Sequence, residues 1–167
     1  MDDDRTDGGG DPGDDAGGGD GNLDNVAKQR QLNDKGRADA RALGDVLKRA
    51  GVPLGRVYSS QFQRAVETAR LIAAKEPEAT ADVSEGGLVV SPNENNRRAQ
   101  ALRALIGRMP ESGTNTLVVT HKPNILDALG RDWFDIREGE ASVFKPDGAG
   151  GYALMSRAQV GQWATAK

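Results

Sequence analysis

Stretches of the chain in which apolar residues recur with the period of a helix alternate with short runs that are apolar throughout. Leu43, Val46, Leu47 and Ala50 recur at helical spacing behind Asn33 and Asp34, either of which can cap a helix, and Gly51 and Pro53 end the pattern. "RVYSS" (56–60) predicts a short strand that runs straight into a second helix with Ala65, Ala69, Ile72 and Ala73 as its apolar stripe. "ADVSEGGLVV" (81–90) reads as a strand and loop. A third helix is predicted over about 94–108, with Leu102, Leu105, Ile106 and Met109 on one face. "NTLVVTH" (115–121) reads as a buried strand, apolar on both faces as in parallel sheets covered by helices. A short helix follows through "NILDALG" (124–130). "ASVFKP" and "GYALMSRA" then predict a hairpin around "DGAGG", and Trp163 anchors a terminal turn. Strands alternating with helices imply an α/β sandwich.

The N-terminal stretch breaks this regularity. Residues 1–25 are nearly all Asp and Gly, with Leu23 the sole sizeable hydrophobe after Met1, and such a segment buries too little apolar surface to offset its ordering entropy. The expected organisation is therefore a flexible segment over 1–25 and one α/β domain over 26–167, a length that suits a single core. The overall charge of −3 conceals an asymmetry. The first 25 residues hold nine aspartates and one arginine, so the remainder carries 21 Lys+Arg against 16 Asp+Glu and sums to +5. A mildly basic body suits a small anionic ligand but is too weak, with too few aromatics, to argue for nucleic acid.

Several function classes drop out on composition. Without cysteine there are no disulfides, iron–sulfur clusters or thiolate zinc sites. No apolar run approaches the roughly 18–20 residues of a membrane span, so no membrane partner is expected. Two calcium patterns begin in the acidic stretch and neither is complete. "DGNLDN" from Asp20 has Asn25 where an EF-hand loop needs its turn glycine and Gln31 where it needs the bidentate glutamate. "GGDGNLDN" matches one repeat of a calcium solenoid that has no successor. No metal and no cofactor is expected. The acidic start is unlike a signal peptide, so the chain as written reads as cytoplasmic, with a periplasmic or secreted location open if a leader lies upstream.

Two predicted strand ends carry the candidate chemistry. One delivers Ser59, Ser60 and, a turn later, Arg64. The other delivers His121, the only histidine, followed by Lys122 and Asn124. Ligands of α/β sheets sit beyond the carboxyl ends of strands, where both pieces lie. A guanidinium matches phosphate oxygens bidentately, and a helix start adds free N–H groups. A histidine beside them could donate a hydrogen bond to phosphate or, if neutral, attack phosphorus. The bland alternative makes His121 a satisfied strand-end residue and Arg64 a surface helix residue.

The order of the pieces bears on this. "LNDKGRADARALGDVLKRAGVPLGRVYSSQFQRAVETARLIA" (32–73) resembles the histidine phosphatase superfamily, also called phosphoglycerate-mutase-like, in which a helix of pattern L-T-x-x-G-x-x-Q-A leads to a strand ending in S-S-x-x-x-R-A-x-x-T-A. "TLVVTHKPNI" is similar to that family's second-histidine segment and "EGEASVFKPDGAGG" to its closing hairpin, so the resemblance spans roughly 26–164. It implies a three-layer sandwich with a mostly parallel sheet and helices on both faces. It also implies that Arg64 and His121 grip a substrate phosphate; Ser60 could lend a hydroxyl or backbone N–H beside them or simply terminate its strand. The family's opening strand, ending in Arg-His-Gly or Arg-His-Ala, carries the nucleophilic histidine. This chain has no such motif, so the first central strand is expected to be missing and the isolated chain to be marginally stable. Family general acids are often glutamates, which makes Glu138, Glu140 and Glu85 candidates.

What the resemblance implies for function is phosphomonoester hydrolysis through a phosphohistidine if an upstream Arg-His is restored. The alternative is a catalytically inactive relative that binds a phosphorylated small molecule or phosphoprotein. His121 acting as the nucleophile is a third reading. A mutase role lacks a diphosphate cradle beyond the scattered Lys122, Arg97 and Arg98.

Overall fold

The computed structural model describes residues 29–86 and 90–164. Helix α1 spans Asp34–Arg49 and opens on Asn33, whose side chain accepts a hydrogen bond from the Gly36 amide, one of the two caps foreseen. Strand β1 (Leu54–Ser59) leads into α2 (Gln63–Ala73), and a two-residue strand β2 (Glu78–Ala79) follows. A 3-10 turn (Ala81–Val83) precedes α3 (Pro92–Gly107). Strand β3 (Asn115–Val119) feeds α4 (Lys122–Leu129). A second 3-10 turn (Arg131–Trp133) leads to the hairpin of β4 (Ala141–Pro146) and β5 (Tyr152–Ala158), and α5 (Val160–Ala164) closes the chain.

The sheet runs β2-β1-β3, all parallel, with Tyr58 opposite Glu78 on one side and Val118 on the other. The connection from β1 to β2 steps one way and that from β2 to β3 steps back across β1. Right-handed crossovers of opposite direction put α2 and α3 on opposite faces. Under α3, Val83, Ala99, Leu102 and Ala128 are buried together, with Leu105, Ile106, Val118 and Leu129 packed against them. On the other face α2 lies on the sheet through Ala65 and Ala69, and α1 packs on α2. The two helices approach so closely at Gly44 that a Cβ there would lie 2.6 Å from the Ile72 carbonyl oxygen.

Several expectations are corrected. The 81–90 stretch holds no strand over its described residues; the strand lies earlier, at Glu78–Ala79, and Thr80 caps a 3-10 turn instead, accepting from the Asp82 amide. Met109 falls beyond the end of α3 and is exposed, because the chain turns extended at Arg108. Ala50 is exposed at the C-cap of α1, outside the stripe it was assigned to. β3 is only half-buried, and among the described residues it has a strand neighbour on one edge alone. The hairpin forms as expected, as a two-stranded antiparallel sheet that is separate from the parallel one among the described residues. Trp163 is buried within α5 rather than in a turn. The boundary placed at residue 25 and nearly all of the two calcium patterns lie outside the described residues.

Candidate functional site

β1 and β3 are adjacent and parallel, so the residues that leave their carboxyl ends emerge side by side, and the Ser60 amide still bonds the Val119 carbonyl across the sheet at 2.9 Å. Ser60 is fully buried one step past β1, and His121 caps α4 two steps past β3. Arg64 stands in the first turn of α2. The chain brings these three together. Arg64 Nη2 lies 3.3 Å from His121 Nδ1, and His121 Nε2 lies 2.7 Å from Ser60 Oγ.

The arginine decides the tautomer. A guanidinium has no acceptor, so its N–H donates and Nδ1 accepts; the neutral imidazole then carries its proton on Nε2 and donates it to Ser60 Oγ. Burial, with the adjacent Arg64 charge second and Glu85 partly opposing, pushes His121 down to about 4 from its ordinary 6.5, so the ring is neutral at neutral pH. Phe62 stands edge-on to the imidazole with ring centroids 5.5 Å apart, and the same ring lies 5.0 Å from the Arg64 guanidinium carbon. One aromatic side chain thus supports both polar groups.

The three candidate acids separate. Glu85 Oε1 accepts from Arg64 Nη2 at 2.6 Å and so joins the Arg64–His121–Ser60 cluster. Glu138 is exposed and pairs with Arg30 at 3.4 Å. Glu140 has a side chain only 1% exposed, bonded to Arg157 Nε at 2.5 Å and to the Arg137 amide at 3.3 Å, where it stitches the hairpin. Neither Glu138 nor Glu140 bonds Arg64, His121 or Ser60. Arg97 and Arg98 are spent on Glu94, with Arg97 also on Asp82, and form no phosphate cradle.

Sequence reasoning overlooked the support around these groups. Phe62 occupies the N-cap of α2 and has no side chain that can cap; Gln29 Oε1 accepts from the Gln63 amide at 2.8 Å in its place. Ser84 is buried, and its hydroxyl accepts from the Gln61 amide at 2.8 Å. Its carbonyl accepts from Asn124 Nδ2 at 3.0 Å and Arg98 Nη1 at 2.8 Å. Asn124, noted beside His121 in the sequence, is buried with its Oδ1 unpartnered among the described residues. No local pattern announces Gln29, Phe62 or Ser84, because the bonds that tie Gln29 to Gln63 and Ser84 to Gln61 and Asn124 span 23 to 40 residues, and Phe62 meets its partner across the fold at His121. Among the described residues no group of three or more His, Asp or Glu is placed to hold a metal ion.

Residues 26–87 match the family model described as histidine phosphatase superfamily (branch 1). Among solved structures the fold is similar to that of the protein histidine phosphatase SixA complexed with tungstate, with a TM-score of 0.59 and 18% identity over 78% of this chain and 85% of that one. It is also similar to a mutant phosphoserine phosphatase from Entamoeba histolytica in complex with phosphoserine, with a TM-score of 0.50 and 18% identity over the same shares of each chain. No curated protein sequence matches significantly.

Proposed function

Starting from the match of residues 26–87 to the histidine phosphatase superfamily model and the similarity of the fold to SixA, we propose that Arg64, His121 and Ser60 form the phosphoryl-binding half of a phosphomonoester phosphatase site. The observation that supports this reading is the 3.3 Å contact between Arg64 and His121 at neighbouring strand ends. A permanently charged donor, with its orientation fixed by the imidazole, stands there beside the N-terminus of α2, where a phosphoryl group's equatorial oxygens would be stabilised.

Hydrolysis through a phosphohistidine needs a second imidazole with a free ring nitrogen. His121 is the sole histidine and both of its nitrogens are engaged. An Arg-His strand seated along the edge of β3 that has no strand neighbour among the described residues would supply the nucleophile. Its neutral nitrogen would attack phosphorus, the ester P–O bond would break with a proton passing to the leaving oxygen, and water would then cleave the N–P bond. Glu85 is the only one of the three candidate carboxylates that touches the pocket, and it does so as the ion-pair partner of Arg64.

The test compares p-nitrophenyl phosphate hydrolysis by this chain and by a version extended upstream with an Arg-His strand. Turnover is expected only in the extended version, with acid-labile label on the added histidine and loss of activity in Arg64→Ala. A second reading, a non-catalytic binder of a phosphorylated small molecule or protein, is favoured by the engagement of both His121 nitrogens. It predicts phosphate binding that Arg64→Ala abolishes, with no turnover in either version.

A further inference from the structure

Glu85 occupies the arginine on which a phosphoryl group would land. The two side chains are 24% and 25% exposed and meet at 2.6 Å, while Arg64 Nε and Nη1 make no hydrogen bond among the described residues. The carboxylate is not loosely hung. Thr120 Oγ1 donates to the Val83 carbonyl at 2.6 Å, and Ser84 is held by Gln61, Arg98 and Asn124, so the backbone leading into Glu85 is pinned. The charged pair sums to zero and His121 adds nothing at neutral pH. Lys122, the next cation along the chain, is exposed and bonds none of the three. An incoming phosphate would therefore share Arg64 with Glu85 and stand beside that carboxylate as a second anion, which is costly at a half-buried site.

We propose that Glu85 makes this pocket select phosphorylated ligands carrying a positive charge close to the phosphoryl group, over inorganic phosphate and neutral-tailed phosphomonoesters. The phosphoryl oxygens pair with Arg64 through its free Nε and Nη1, and the ligand's ammonium takes the place on Glu85 that the arginine partly gives up. Each charge in the pocket and the ligand then has a partner of opposite sign. The inference rests on the phosphoryl-binding reading of Arg64 and His121.

Isothermal titration of the whole chain with 2-aminoethyl phosphate, 2-hydroxyethyl phosphate and inorganic phosphate at pH 7.5 tests it. Aminoethyl phosphate is expected to bind about five- to tenfold more tightly than the hydroxyethyl isostere, the size of one partly screened ion pair. Glu85→Gln should abolish that preference while tightening inorganic phosphate, and Glu85→Asp should keep it. Equal affinity for the two esters in the unaltered chain, with binding still lost in Arg64→Ala, overturns the selectivity and leaves the phosphoryl site standing. Absence of binding by all three ligands, or binding indifferent to Arg64→Ala, overturns both.

Discussion

At the scale of single residues, one guanidinium organises the pocket. Arg64 fixes the His121 tautomer, rests on Phe62 and holds Glu85. A lysine is a point charge without the planar fork, so Arg64→Lys is expected to weaken phosphate binding by more than about tenfold in a titration, even though the charge is kept. His121 also makes stability depend on pH. Its folded value lies near 4 and its ordinary value is 6.5, so between these limits the unfolded chain binds more protons and stability falls as the pH falls. Lowering the pH from 7 to 4 should remove up to about 3 kcal/mol, by the conversion of about 1.4 kcal/mol per unit. Urea melts of the unaltered chain and His121→Asn would show this part of the slope in the first and not in the second.

At the scale of elements, α2 is well placed but imperfectly finished. Its N-terminus borrows a cap from Gln29, and its C-cap, Ala74, sits in the left-handed region at φ 55°. A Cβ there costs roughly 1–2 kcal/mol, and glycine would relieve most of it while adding some unfolded-state entropy. Ala74→Gly is therefore expected to raise the unfolding free energy by roughly 0.5–1 kcal/mol, measured as a shifted urea midpoint at constant slope. The opposite holds where α1 crosses α2. Gly44→Ala would press a methyl group against the Ile72 carbonyl, backbone that cannot rotate away, and should cost about 1–3 kcal/mol. That crossing bears on the site, because Arg37 of α1 also bonds Glu67 of α2 at 2.6 Å and so helps hold the helix from which Arg64 projects.

At the scale of the whole molecule, the architecture ends abruptly. Among the described residues β3 has a strand neighbour on one edge only, and the hairpin is a separate sheet with Val143, Leu154 and Met155 exposed, Met155 by 59%. An apolar edge strand and a bare hairpin both invite pairing with other chains. The chain studied alone is expected to melt below about 55 °C, at the middle of the mesophile range, and to scatter light increasingly with concentration as it does so. An upstream Arg-His strand that seats on β3 should raise the midpoint and suppress the scattering. A sharp, reversible, concentration-independent transition above that temperature in the chain alone would show that the open edge carries no penalty.

Local pattern determined much of this protein. Helix periodicity, the Asn33 cap and the short apolar runs mark α1, α2, α3, β1 and β3, since the residues that carry those signals lie within a turn or two of each other. The strand ends bearing Ser60 and His121 were legible for the same reason. Only the tertiary structure decided which carboxylate meets Arg64, because Glu85 bonds across 21 residues while Glu138 and Glu140 join unrelated arginines. It also decided that β3 is half-exposed and that the hairpin stands apart. An apolar strand looks the same in sequence whether one edge is paired or two, and pairing is a property of the partners that the fold brings alongside.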